Sequence, residues 1–159
     1  MAPSFEPADP NFEQRVRDSF QRQGIMGLIG ARLSLVAPGH VEIELPFRHD
    51  LTQQHGFFHG GVTSTIADSA GGYAAFSLFP ADASVLTVEY KINLMAPADG
   101  ELLRAVGRVL RPGRSLTVCD LEVFVTKAGR EKLCAKGLQS IMRLDGRPDA
   151  PGESKGAPR

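Results

Sequence analysis

Residues 55–72 read HGFFHGGVTSTIADSAGG. Two histidines four positions apart, His55 and His59, precede the glycine pair Gly60-Gly61, and Asp68 follows. Asp68 is the only charged residue between positions 60 and 81. A surface helix normally carries a polar stripe, so an isolated acid in such a segment is a candidate general base or nucleophile. A plain surface acid is the competing reading. The glycines fit a turn feeding a helix. The same geometry leaves free N–H groups and partial positive charge at the helix start, which suits an oxyanion donor for acyl transfer. A metal pair at His55 and His59 has little support. Gly56 and Phe57-Phe58 oppose a helix there, and no third ligand or H-E-x-x-H pattern is present. Phosphate-loop, dinucleotide and G-x-S-x-G motifs are also missing.

These residues need a scaffold, and the chain pattern outlines one. Residues 59–79 form the long helix candidate inside the domain. At 100° per residue, Val62, Ile66, Ala70 and Tyr73 form a packing face. Ser64, Thr65, Gly71, Gly72 and Ala75 surround Asp68 on the other side. Interior glycines weaken a helix by roughly 1 kcal/mol each against Ala, so they point to close approach by another element. Phe12, Val16 and Phe20 predict a helix over 11–24, with Gly24 as its stop signal. Residues 30–47 read as two strands around a Pro-Gly turn. In 84–94 the alternation puts Leu86, Val88, Tyr90, Ile92 and Leu94 on one face, with Thr87, Glu89, Lys91 and Asn93 on the other. Three further strands are expected at 101–111, 115–126 and 132–144, joined as antiparallel hairpins. The fold class is α+β, a sheet of about six antiparallel strands wrapped round one helix.

Length and composition agree with one domain. The chain has 159 residues, 42% hydrophobic and 23% charged, enough for a sizeable core. Eighteen basic and eighteen acidic residues balance, so neither a nucleic acid nor an anionic membrane surface is indicated as partner. No apolar run reaches the length of a membrane span, and MAPSFEPADP lacks the regions of a signal peptide. Cys119 and Cys134 sit in apolar segments without metal spacing and read as reduced core residues of a cytoplasmic protein. Disorder is expected over 1–10 and 146–159, which are rich in Pro or in Pro, Gly and charge. The domain then spans 11–145.

With its neighbours, the central stretch resembles a known family. Gln53 lies six positions before His59-Gly60-Gly61, and Asp68 lies eight after Gly60. TVEYKINLMAP follows, with Thr87, Glu89, Ile92, Leu94 and Pro97 in order. This pattern, over about 28–144, resembles the hotdog-fold acyl-CoA thioesterases of the phenylacetate-pathway (PaaI-like) and hydroxybenzoyl-CoA branch. The resemblance implies a six-stranded sheet around the helix, and a homodimer, usually paired again into a homotetramer, with active sites at the subunit interface. It implies that the Gly60 N–H polarises the thioester carbonyl of an acyl-CoA. Asp68 of the facing subunit then attacks that carbon or activates water. Gln53 orients the water or substrate, Thr87 hydrogen-bonds near the carboxylate, and His59 shapes the loop. Gly61, Phe58 and Gly72 would border the substrate. Gly72 stands where some arylacyl members carry Thr. Arg114 and Ser115, in RVLRPGRSL, are the candidates for the CoA phosphates; a solvated basic turn is the other reading. No cofactor or metal is implied, since coenzyme A is part of the substrate. A hotdog hydratase or dehydratase, and a non-catalytic acyl-CoA binder, are the alternatives; the first normally needs a catalytic His that 62–79 lacks.

Overall fold

The computed structural model describes residues 4–150. Two short helices, α1 (Phe12–Arg22) and α2 (Gly24–Ile29), lead into a hairpin of β1 (Arg32–Ala37) and β2 (His40–Pro46). A 3-10 turn at His49–Leu51 precedes the long helix α3 (Gly60–Phe76). Four strands follow: β3 (Ala83–Leu94), β4 (Leu102–Arg111), β5 (Leu116–Lys127) and β6 (Arg130–Asp145). The sheet order is β1-β2-β4-β5-β6-β3, antiparallel throughout. This is the expected hotdog architecture, with α3 packed on one face of a six-stranded sheet.

The glycines inside α3 now have a reason. A Cβ on Gly107 of β4 would lie 2.3 Å from the backbone carbonyl of Ala70. A Cβ on Gly71 would lie 2.5 Å from Leu121. Helix and sheet therefore meet backbone to backbone, and the conformational penalty of helical glycine is offset by this close packing. Both sides of α3 are consequently buried. Ile66, Ala70 and Tyr73 pack as expected, but so do Gly71, Gly72 and Ala75 on the side around Asp68.

Three expectations are corrected. Gly24 does not end the first helical segment in a loop. The chain is extended only at Gln23, and Gly24 opens α2, whose Met26 and Ile29 enter the core. The alternation over 84–94 is broken by a bulge between Thr87 and Glu89. Thr87 pairs with buried Ile141 and Tyr90 with buried Gln139, so both face the helix. Leu86 pairs with Met142 and Glu89 with Ser140 on the outer face. The extra residue moves Thr87 onto the same side as Tyr90, Ile92 and Leu94.

The disorder expected over 1–10 does not extend to residues 4–10. Phe5 packs over Gly39, Ala8 N–H donates to Leu78 O, and Asp9 is buried beside Arg15 at 3.2 Å. Arg15 in turn donates to the carbonyls of Phe76 and Phe79, at 3.2 and 2.6 Å. A cation there satisfies the open carbonyls at the C-terminal end of α3. At the other end of the chain, Asp149 accepts from Arg22 at 2.9 Å and from Ser84 at 3.1 Å. The expected disorder of 1–3 and 151–159 lies outside the described residues.

Candidate active site

Asp68 sits on the sheet-facing side of α3, half-buried. Its Oδ1 accepts from the Thr87 hydroxyl at 2.7 Å and from Gln139 Nε2 at 2.5 Å. The same Gln139 nitrogen donates to the Asp68 peptide oxygen at 3.0 Å and to Thr87 Oγ1 at 3.2 Å. No donor among the described residues reaches Asp68 Oδ2. Beside the carboxylate lies a cavity of about 270 Å³, walled by Gln23, Gly72, Tyr73, Val85 and Leu86. A Cβ at Gly72 would meet nothing within 4 Å, so this glycine widens the cavity rather than relieving a clash. Gln23, at the α1–α2 break, accepts from Ser69 at 3.1 Å and forms part of the wall.

The start of α3 forms a separate site. His59 is its N-cap, and Nδ1 accepts the Gly61 N–H at 2.8 Å. That contact places the imidazole proton on Nε2. The Gly60 N–H finds no acceptor among the described residues. It is one of the four open donors of a helix start, where the dipole adds positive charge. A Cβ at Gly60 would lie 2.6 Å from Leu94 Cδ1, so glycine here lets β3 close over the helix end. Gly60 opens into a cavity of about 450 Å³ walled by Gln53, Phe57, Phe58, Leu94 and Cys134. Phe58 is buried, its ring edge-on to Phe47 at 5.4 Å. Gln53 holds the 53–57 loop: its backbone N–H donates to Phe57 O at 2.9 Å, and its side-chain oxygen accepts from His55 N–H.

The candidate residues thus fall into two groups. Gln53, Phe58, His59, Gly60 and Gly61 gather at the N-terminus of α3; Asp68, Gly72 and Thr87 gather around the second cavity. Eight residues of helix separate the Gly60 donor from Asp68, about 12 Å along the axis. Arg114 and Ser115 join neither group. They lie exposed in the β4–β5 turn, where Ser115 O accepts from Arg143 N–H at 2.9 Å. Measured along β6, that point lies eight residues from Ala135, which pairs with Leu94 beside Gly60, or about 25 Å away. A third cavity, of about 750 Å³, shares the Phe57 and Pro97 walls of the first and is bordered by Lys127, Arg130 and Lys132.

The chemistry this can support is acyl transfer from an activated acyl group. One group offers a preorganised donor to a carbonyl oxygen, the other a carboxylate with one oxygen held and one open. Cys134 borders the Gly60 cavity, but burial pushes its thiol up to about 11. Burial likewise pushes Cys119 up to about 12. Both are therefore protonated at neutral pH and make poor nucleophiles.

Two glutamines belong to the site without standing out in the sequence. Gln139 alternates with Gly137 and Ile141 on the inner face of β6. A polar residue in a buried period-two row is the signal that could have found it. Gln23 leaves no comparable signal, because its position depends on the break between α1 and α2.

Comparison with known proteins agrees with this geometry. Residues 55–132 match the model of the thioesterase superfamily. A candidate esterase of Saccharolobus solfataricus is 31% identical over 123 residues, covering 77% of this chain and 79% of that protein. Human acyl-coenzyme A thioesterase 13 is 30% identical over 102 residues, covering 64% of this chain and 71% of the relative. The crystal structure of a thioesterase family protein from Silicibacter pomeroyi superposes with a TM-score of 0.84 at 47% identity, covering 85% of this chain and 99% of the other. The match spans both halves of the site, from the turn before Gly60 past Thr87, and the chain belongs to the thioesterase superfamily of hotdog-fold thioester hydrolases.

Proposed function

We propose that the protein hydrolyses acyl-CoA thioesters as a dimer, each active site joining Gly60 of one subunit to Asp68 of the other. The observation that carries this is the division of the site. The oxyanion donor and the carboxylate open into different cavities of one chain. Between them runs β3, an edge strand of twelve residues. Its outer edge is unpaired among the described residues, and two of its side chains, Leu86 on the outer face and Leu94 on the helix side, are 52% and 56% exposed. A long apolar edge calls for a partner. A second copy turned about a two-fold axis supplies one and brings opposite ends of the two helices together.

In that arrangement the thioester carbonyl accepts the Gly60 N–H. Asp68 either removes a proton from water as its oxygen bonds the acyl carbon, or attacks that carbon to give an anhydride that water cleaves. Either way the C–S bond breaks, and the thiolate leaves as CoA and gains a proton. An aryl-, phenylacetyl- or short- to medium-chain acyl group is the expected range. Free-thiol release measured over such a panel tests the reading. Turnover of at least one member is expected; release no faster than buffer from every member overturns it.

The CoA phosphates have two candidate positions. Arg114 and Ser115 form one; Arg130 and Lys132, without an ion-pair partner among the described residues and close to the Gly60 cavity, form the other. We assign the phosphates to Arg114 and Ser115 of a neighbouring subunit, since the reactive carbonyl is also shared across subunits. Arg114→Ala is expected to raise KM for acyl-CoA about fivefold and to leave KM for an acyl-pantetheine, which lacks the nucleotide, unchanged. The same selective rise in an Arg130→Ala/Lys132→Ala variant, with Arg114→Ala silent, moves the phosphates to the β5–β6 turn.

A further inference from the structure

Gln139 is 1% exposed, and its amide is spent almost wholly on Asp68. Nε2 has two hydrogens and three oxygens within reach: Asp68 Oδ1 at 2.5 Å, the Asp68 peptide oxygen at 3.0 Å and Thr87 Oγ1 at 3.2 Å. All three accept, which fixes the amide orientation; turned over, its oxygen would face the Asp68 carboxylate and peptide oxygens, neither of which brings a hydrogen. Thr87 accepts from Gln139 and passes its own hydrogen to the same Oδ1 at 2.7 Å. The result is a closed ring of three residues from three elements, α3, β3 and β6.

Two features show that this ring is maintained against a structural penalty. Gln139 Oε1 is buried with no partner among the described residues, and an unpaired buried acceptor lowers stability. That oxygen lies 2.0 Å from where a Cβ on residue 71 would stand. Gly71 is therefore the notch that admits the amide. A leucine or methionine would fill the same wall without an orphaned oxygen.

We propose that Gln139 is a positioning residue. With Thr87 it holds Asp68 by Oδ1, so that Oδ2 is the oxygen presented to the reaction. This rests on the reading that Asp68 acts in thioester hydrolysis. Oδ2 then either takes the proton of the attacking water while the water oxygen bonds the acyl carbon, or bonds that carbon itself, with the thiolate leaving in both cases. Without the Nε2 donor the Thr87 hydroxyl is the one hydrogen bond left on Oδ1 among the described residues, and the carboxylate can swing about its Cβ–Cγ bond, so Oδ2 is held less firmly toward the substrate.

Steady-state kinetics of the full-length protein test this, with four variants run in parallel: Gln139→Leu, Gln139→Glu, Asp68→Asn and the double variant Asp68→Asn/Gln139→Leu. Gln139→Leu is expected to lower kcat at least about tenfold with KM within about twofold, the signature of a group that acts in the transition state. In the Asp68→Asn background the leucine should lower the residual rate no further, because it acts through the missing carboxylate. Gln139→Glu keeps the shape and sets two carboxyl groups against one another. Its activity should be confined to acid pH, where a shared proton restores the donor. This arm also decides the matter if Gln139→Leu does not fold. An unchanged kcat in Gln139→Leu, multiplying losses in the double variant, or a wild-type pH profile for Gln139→Glu each overturns the proposal. Full activity of Asp68→Asn overturns instead the reading on which it rests, that Asp68 acts in the hydrolysis.

Discussion

Asp68→Asn is expected to lower kcat for acyl-CoA hydrolysis by at least about 10²-fold, the scale of a lost general base or nucleophile. The substitution is chosen because the fold should not notice it. Asparagine keeps an oxygen where Oδ1 stands, so the Thr87 hydroxyl and Gln139 Nε2 keep their acceptor. The amide nitrogen then takes the place of Oδ2, which meets no donor among the described residues. What is lost is the charge and the lone pair that face the cavity. Thermal denaturation should therefore be nearly unchanged, and acyl-CoA should still bind, measured by calorimetry with a hydrolysis-resistant thioether analogue. This pair of results also separates an enzyme from an acyl-CoA binder. In a binder, the parent protein releases no thiol and the substitution changes nothing that an assay reads. A variant retaining more than about a tenth of the parent rate would remove Asp68 from the chemistry.

The part of the site legible in the sequence is the part fixed by local rules. A glycine pair ahead of a long small-residue helix predicts a helix start with open donors. The single acid at Asp68 stands out because nothing else between 60 and 81 is charged. The sheet can be read from alternation and turn residues. Family resemblance gives Thr87 its partner, while the alternation itself groups it with Glu89 and Lys91. The bulge at Val88 explains the conflict: one inserted residue inverts the facing of everything after it, and no propensity marks where it falls. Gln139 is hidden for a related reason. Its importance arises from a position 71 residues after Asp68, a pairing set by register rather than by local spacing. Residues 4–10 read as disordered from their prolines, yet Phe5 and Asp9 find partners at Gly39 and Arg15. Composition describes what a segment can bury, not what the remainder of the chain offers it.

A subunit carrying Gly60→Pro, combined with one carrying Asp68→Asn, is expected to recover activity that neither has alone. Proline removes the one N–H assigned to the oxyanion, and it does so where a helix tolerates it. Residue 60 is the first residue of α3, whose N–H has no helical acceptor. The residue before it, His59, already holds φ −64° and ψ 138°, the conformation that proline imposes on its predecessor. A Cβ at this position meets Leu94 Cδ1 at 2.6 Å, the end of a flexible side chain that can turn aside. Loss of one oxyanion donor lowers kcat by about 10²- to 10³-fold, so the homodimer of this variant should be nearly inert. In a mixed dimer, one site combines the intact Gly60 of the Asp68→Asn subunit with the intact Asp68 of the Gly60→Pro subunit. The other site carries both lesions. Random assembly of equal amounts makes about half the dimers mixed, with one working site of two, so about a quarter of the parent activity returns. Co-expression with two affinity tags isolates the mixed species, in which the recovery rises to about half. If each chain instead completed its own site, the mixed dimer would stay as inactive as its parents, because every chain in it lacks one of the two groups. The roughly 12 Å of helix between Gly60 and Asp68 makes the shared site the expected outcome.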